Sequence, residues 1–295
     1  LQILNSGIWN SKLGIQDRKS DGLYWRDSMK RMYSVLVLVL TLILLTAVTA
    51  PAGPALDRIL QKGELVVGTS GDQPPLTVRT KDGEIIGLDV QLAELMATSM
   101  GVKLKLVDMP FPELLPALEA GKVDMVLSGM TITPRRNLKV AFVGPYYVSG
   151  KGLLAKAQTV GTLRGPRDMN NPDFTVAALK NSTSEIFVEK ALPEAKHRLT
   201  QTLAEAVRLL FKDEVQALIA DYPYCAVAAH RYRDKGLAVG EARFTYEPLG
   251  IALPADDPLL VNWVGNFLAT LQDSGDMKRL VNRWFKDASW IQRLP

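Results

Sequence analysis

The chain predicts an α/β protein of two lobes, each built on a mostly parallel sheet flanked by helices. Three observations predict it. Short apolar runs alternate with amphipathic helical segments between residues 56 and 285, the pattern of strands joined through helical crossovers. About 243 residues follow position 52, more than a typical single domain holds. A second alternating block opens near Lys151, after the first has run its course.

The elements read as follows. Residues 56–62 form a helix stopped by Gly63, and 64–68 a strand. Asp82-Gly83 marks a hairpin turn. Leu92, Leu95, Met96 and Met100 recur at helical spacing until Gly101 ends that helix, and 102–107 is the next strand. Pro112 sits at a helix start, with Leu114, Leu115 and Leu118 on one face and Gly121 closing it. Strand 123–127 completes this block. The second block has strands 174–179 and 215–220 and helices 182–190, 203–211 and 221–232. Residues 160–173, rich in Gly, Pro, Asn and Asp, read as a loop. Strand 249–253 and helices 258–271 and 277–285 close the chain.

The first 52 residues stand apart from that fold. Met29-Lys30-Arg31-Met32 is a basic start, 35–50 is an apolar run, and Ala47-Val48-Thr49-Ala50-Pro51-Ala52 offers small residues for cleavage. Basic, apolar and small-residue regions in that order predict a secretory signal peptide over 29–52. The run is 16 residues long, short of the roughly 20 that span a bilayer. Residues 1–28 are polar and patternless and read as a non-structural extension ahead of Met29.

Without residues 1–52 the chain holds 29 basic and 28 acidic residues, so its basic character lies mostly in the leader. No Lys/Arg cluster interleaved with aromatics occurs, and nucleic acid is not an expected partner. The hydrophobic and charged fractions, 47% and 22%, are those of an ordinary globular protein. Cys225 is the only cysteine, so no internal disulfide forms, and no metal-ligand spacing is present. His197 and His230 are isolated and read as surface or packing residues. No cofactor is expected.

In open α/β sheets, ligands bind beyond the carboxyl ends of the strands, so the residues there are the candidate site. After strand 64–68 come Thr69-Ser70-Gly71-Asp72-Gln73. After 123–127 come Ser128-Gly129-Met130-Thr131-Ile132-Thr133-Pro134-Arg135-Arg136, small and hydroxylated residues leading to guanidinium groups. Such a stretch leaves N–H donors open to an anion, and an arginine grips a carboxylate through two parallel hydrogen bonds. Strand 174–179 is followed by Lys180-Asn181-Ser182-Thr183-Ser184-Glu185, and strand 215–220 runs into Asp221. Each has a plain structural alternative: Arg136 as a solvated surface residue, Asp221, Ser182, Thr183 and Asp89 as helix caps. Together they suit a zwitterion, with Arg136 for a carboxylate and Asp221 for an ammonium.

The ordered run of motifs resembles the bacterial periplasmic solute-binding proteins of family 3, the polar amino-acid uptake type. It comprises Gly63-Glu64-Leu65-Val66-Val67-Gly68-Thr69, Gly87-Leu88-Asp89-Val90, Leu115-Pro116-Ala117-Leu118-Glu119-Ala120-Gly121-Lys122-Val123-Asp124, Gly129 to Arg136, Phe142-Val143-Gly144-Pro145-Tyr146-Tyr147, 215–221 and Trp284-Phe285. The resemblance implies the two-lobe periplasmic-binding-protein fold (type II). Lobe 1 would be 53–147 plus 248–295 and lobe 2 would be 148–247, with crossings near 147–151 and 246–248. It implies that Arg136 binds the α-carboxylate, aided by Thr131, the Gly129 backbone and Thr183, while Asp221 holds the α-amino group. Phe111 would lie against the ligand and Ser128 would donate a hydrogen bond. Gln73 stands where many members carry a stacking aromatic, Leu76 replaces a common Phe, Asn181 takes a usual Gly position, and Pro112 is unusual after Phe111. The implied partners are a free amino acid and the membrane permease of an ABC importer, with the protein a periplasmic monomer and not an enzyme. Some relatives act as cyclohexadienyl dehydratases, and that alternative would need Glu185 or Asp72 as a general acid.

Overall fold

The computed structural model describes residues 53–295 together with Met29, Met32 and Tyr33. The expected extension, 1–28, and the expected leader, 29–52 apart from those three residues, lie outside the described residues. Among the described residues no helix is long and apolar enough to cross a membrane.

Thirteen strands occur among the described residues, labelled in chain order. They are β1 Glu64–Thr69, β2 Asp72–Gln73, β3 Thr77–Arg79, β4 Ile85–Ile86, β5 Lys103–Asp108, β6 Met125–Val126 and β7 Ala141–Ser149. Then follow β8 Lys151–Lys156, β9 Thr175–Leu179, β10 Lys196–Thr200, β11 Ala217–Asp221, β12 Leu237–Val239 and β13 Glu247–Leu253. Two five-stranded sheets, ordered β5-β1-β6-β13-β7 and β10-β9-β11-β8-β12, form the centres of two lobes. A small β2-β3-β4 sheet lies beside the first.

Both large sheets are mixed, which corrects the expectation of mostly parallel ones. β1 is parallel to β5 and β6, and β9 to β10 and β11, but β13 is antiparallel to β6 and β7, and β8 to β11 and β12. The reason lies in the crossings. β7 of the first sheet passes to β8 of the second through Gly150 alone, and β13 returns directly from the second lobe. Strands that enter a sheet without a helical crossover are free to pair antiparallel.

Alternation builds the core. In the second sheet Val176, Ala178, Ala217 and Ile219 face helix Thr183–Ala191 with Val188 and Leu192, while Ala177, Leu179, Leu218 and Ala220 face the opposite apolar cluster. That cluster holds residues of helices Leu203–Phe211 and Tyr222–Arg231. In the first sheet Leu65, Val67, Met125, Leu127, Ile251 and Leu253 pack with helices Pro54–Lys62, Leu88–Met100, Pro258–Asp273 and Asp276–Phe285. Sheets buried on both faces need apolar residues on both, and these strands have them. Asp257 ties the ends of this lobe together: fully buried, it accepts from Ala55 N, Leu56 N and Leu260 N.

Boundaries differ from the sequence reading in informative places. The expected strand 123–127 pairs only over Met125–Val126. The expected loop 160–173 carries the helix Pro166–Met169 and overlaps the last three residues of the helix Ala157–Thr162. β10, Lys196-His197-Arg198-Leu199-Thr200, is too polar to read as a strand, but it is an edge strand with only Thr200 buried.

Candidate functional site

The ends of β1, β6, β9 and β11 bring their following turns to one cleft between the lobes. β2 and β3 pair antiparallel, with Gln73 opposite Thr77, and this hairpin carries the buried Gln73 side chain over Gly129. Gly129 has φ +58°, and a Cβ there would meet Leu76 Cδ1 at 2.7 Å and Gln73 Nε2 at 2.8 Å. Glycine is therefore required for both conformation and space. Its N–H donates to Asp89 Oδ2 at 2.7 Å, so this backbone donor is already engaged. Asp89 is neither a helix cap nor a ligand group: fully buried, it braces the Gly129 turn. Burial pushes its carboxyl up to about 7, against the Gly129 N–H and the neighbouring Tyr146 hydroxyl.

Thr131 is fixed by a bridge to Leu249 of β13. The helix that follows, Pro134–Asn137, is capped by Thr133, whose hydroxyl accepts from Arg136 N at 3.2 Å. Arg136 then turns into the cleft. Nη1 donates to Thr131 O at 2.8 Å, Nη2 to Asn181 O of the other lobe at 3.0 Å, and Cζ lies 5.7 Å from the Phe111 ring centroid. Burial lowers its pKa to about 10 while Glu247 and Asp221 oppose that shift, so the guanidinium stays charged at neutral pH. Among the described residues no carboxylate lies within salt-bridge distance of it.

Across the cleft, Ser182 caps helix Thr183–Ala191, accepting from Ser184 N and Glu185 N. That frees the neighbouring Thr183 hydroxyl for the cleft. It donates to Glu247 Oε2 at 2.8 Å and lies 3.3 Å from Thr131 Oγ1, which also donates to Glu247 Oε2 at 2.8 Å. Asp221 ends β11 and precedes helix Tyr222–Arg231, yet its side chain makes no capping bond. Its Oδ1 accepts from Lys151 Nζ at 2.8 Å and its Oδ2 from Gln73 Nε2 at 2.6 Å.

These groups enclose a cavity of about 20 Å³ lined by Gln73, Phe111, Gly129, Thr131, Arg136, Lys151, Thr183 and Asp221, among others. It adjoins a cleft of about 450 Å³ through Phe111, Arg136 and Ser182. Seven of the eight expected site residues line the cavity. The eighth, Ser128, does not: its hydroxyl accepts from Ser70 N and donates to Ser70 Oγ, both at 3.0 Å, bracing the turn after β1. Of the two carboxylates either of which could serve the dehydratase alternative, Glu185 lines the outer cleft and accepts from Asn181 N. Asp72 accepts from Leu203 N at 2.9 Å.

Sequence reasoning missed Lys151 and Glu247. Lys151 is 2% exposed, opposite Asp221 in the antiparallel β8–β11 register, and 3.7 Å from Glu247 Oε2. Burial opposes ionisation of Glu247, but Lys151 and the hydroxyls of Thr245, Thr131 and Thr183 outweigh it and hold the carboxyl below its ordinary value. The available signal was a single charge between two glycines, Gly150-Lys151-Gly152, at the head of an apolar run.

The bacterial extracellular solute-binding proteins, family 3, match this chain over residues 65–287. The chain belongs to that family. Among similar solved structures, the ancestral amino acid-binding protein AncCDT-1, described as a precursor of cyclohexadienyl dehydratase, is 37% identical with TM-score 0.73, over 78% of this chain and 99% of its own. A putative ABC-transporter binding component from Wolinella succinogenes, complexed with lysine, is 36% identical with TM-score 0.74, over 78% and 99%. Cyclohexadienyl dehydratase of Pseudomonas aeruginosa is 24% identical over 230-odd positions (231 residues), 78% of this chain and 86% of the enzyme.

Proposed function

We propose that this protein binds an amino acid between its two lobes and delivers it to the permease of an ABC importer. The observation that carries the reading is Arg136: a charged guanidinium on the wall of an interlobe cavity, backed by Phe111, with no carboxylate among the described residues pairing it, and Asp221 on the opposite lobe. A guanidinium has five N–H donors, and two are used on Thr131 O and Asn181 O. The rest suit a ligand carboxylate, with the Thr131 and Thr183 hydroxyls alongside. Asp221 serves the α-amino end, Phe111 and Gln73 flank the ligand, Gly129 shapes the floor and Ser128 supports it through Ser70. The lysine complex of the Wolinella relative supports an amino-acid ligand.

A cavity of about 20 Å³ is the size of a water site, so ligand entry requires the lobes to part and close again. The moving units are lobe 1, 53–147 plus 248–295, and lobe 2, 148–247, hinged at the two crossings. The protein acts in the periplasm as a monomer, exported by the leader at 29–52. It is a carrier rather than an enzyme. The two candidates for a dehydratase's general acid each accept a backbone N–H, Glu185 from Asn181 and Asp72 from Leu203.

A thermal-shift screen of the purified protein against the amino acids tests this reading. A ligand at 100 times its dissociation constant adds about 2.7 kcal/mol of stability, a plainly visible shift. No response to any amino acid overturns the carrier assignment, and release of product from prephenate or arogenate overturns the exclusion of catalysis.

A further inference from the structure

The carrier reading gives Asp221 to the α-amino end of the ligand, and the following inference rests on that reading and refines it. Both oxygens of Asp221 are already engaged, one by the Lys151 ammonium at 2.8 Å and one by the Gln73 amide at 2.6 Å. The Lys151 backbone is held firmly. Its N–H donates to Thr245 Oγ1 at 3.0 Å, its carbonyl accepts from Phe244 N at 2.8 Å, and the strand register sets it opposite Asp221. Glu247 offers no refuge for a second cation, because its carboxylate already takes three hydroxyls and lies 3.7 Å from the same lysine.

An α-ammonium brought to Asp221 would therefore share one carboxylate with a fixed ammonium, and like charges at such range repel in a site shielded from water. An uncharged oxygen at the same position meets the opposite situation. Lys151 has three N–H donors, one of them on Asp221, and the residue lines the cavity. The others can be given to a carbonyl or hydroxyl oxygen.

We propose that Lys151 is a specificity-determining residue that supplies Asp221 with an internal ammonium and so lets the site take 2-oxo and 2-hydroxy acids alongside amino acids. Arg136 grips the carboxylate in each case, and Lys151 donates to the neighbouring neutral oxygen.

Calorimetry with matched sets tests it on the purified full chain: alanine, pyruvate and lactate; leucine with its 2-oxo and 2-hydroxy acids; phenylalanine, phenylpyruvate and phenyllactate; glutamate, 2-oxoglutarate and 2-hydroxyglutarate. In the set that binds, the 2-oxo or 2-hydroxy acid is expected within about tenfold of the amino acid, or tighter. Lys151→Gln, which removes the internal cation, should shift that ratio by at least about tenfold toward the amino acid, since each tenfold is about 1.4 kcal/mol. An amino acid that binds while both its partners are more than about a hundredfold weaker overturns the inference and leaves the carrier reading standing. An unchanged ratio in Lys151→Gln also overturns it. Binding by no member of any set overturns both. Lys151→Met is the second variant should the glutamine form not fold, and the wild-type comparison needs neither.

Discussion

The side-chain amide of Gln73 donates to Asp221 Oδ2 at 2.6 Å, joining the β2–β3 hairpin of the first lobe to the end of β11 in the second. Alongside it, Arg136 reaches Asn181 O, Asp72 reaches Leu203 N, and the Thr131 and Thr183 hydroxyls meet on Glu247. The same surfaces that line the cavity thus carry the contacts between lobes, which is how ligand contact and lobe closure become one equilibrium.

Removal of the guanidinium should be the most damaging change to binding. Leaving a ligand carboxylate enclosed without its partner costs on the order of 3–5 kcal/mol. Arg136→Ala is therefore expected to weaken ligand binding more than about a hundredfold by calorimetry. Arg136→Lys, which keeps the charge but loses the planar fork, is expected to recover only part of it.

Asp72 lies outside the ligand cavity, and burial raises its carboxyl pKa against the Leu203 N–H it accepts. Hydrogen bonds to charged groups contribute about 1.5–3 kcal/mol. Asp72→Ala should weaken affinity by about tenfold or more with no ligand contact removed, and small-angle scattering should report a larger mean radius of gyration. Unchanged affinity and dimensions would exclude a role in closure.

Asp89 gives a pH dependence with a definite sign. Its carboxyl ionises near 3.8 when unperturbed and at about 7 in the folded protein. Between those values the folded state keeps a proton that the unfolded chain has released, so stability falls as pH rises from about 4 to 7. At 1.36 kcal/mol per pH unit the effect reaches roughly 4 kcal/mol. Asp89→Asn can still accept the Gly129 N–H and should flatten this part of the profile in chemical denaturation, making the variant more stable than wild type at pH 8.

Gly129→Ala tests the packing of the cavity floor. A methyl group there needs an unfavourable backbone conformation, φ +58°, and the space held by Leu76 and the Gln73 amide. Substituting Ala at positive φ destabilises by about 1 kcal/mol or more. Thermal unfolding should fall accordingly, and displacement of Gln73 from Asp221 should lower ligand affinity as well.

How much was legible in the chain divides along one physical line. The α/β alternation, the helix stops at Gly63 and Gly101, and six of the cavity-lining residues came from local pattern, because strands and helices have fixed periods and sites collect at strand ends; Phe111 came only from the family resemblance. Asp221 and Thr183 looked as much like caps as like site residues. Only the structure shows that Ser182 takes the capping bonds and that Asp221 makes none. Ser128 shows the converse, a strand-end hydroxyl that turned to Ser70 rather than to the cavity.

What the sequence determined by itself was the type and order of most elements, which follow from interactions among near neighbours in the chain, and, through its ordered motifs, the family. The tertiary structure decided the antiparallel pairings of β8 and β13 and, through them, the Lys151–Asp221 and Thr183–Glu247 contacts. Those partners are 70 and 64 positions apart. Their side chains meet only because two crossing strands set the register, a long-range outcome that no local periodicity encodes.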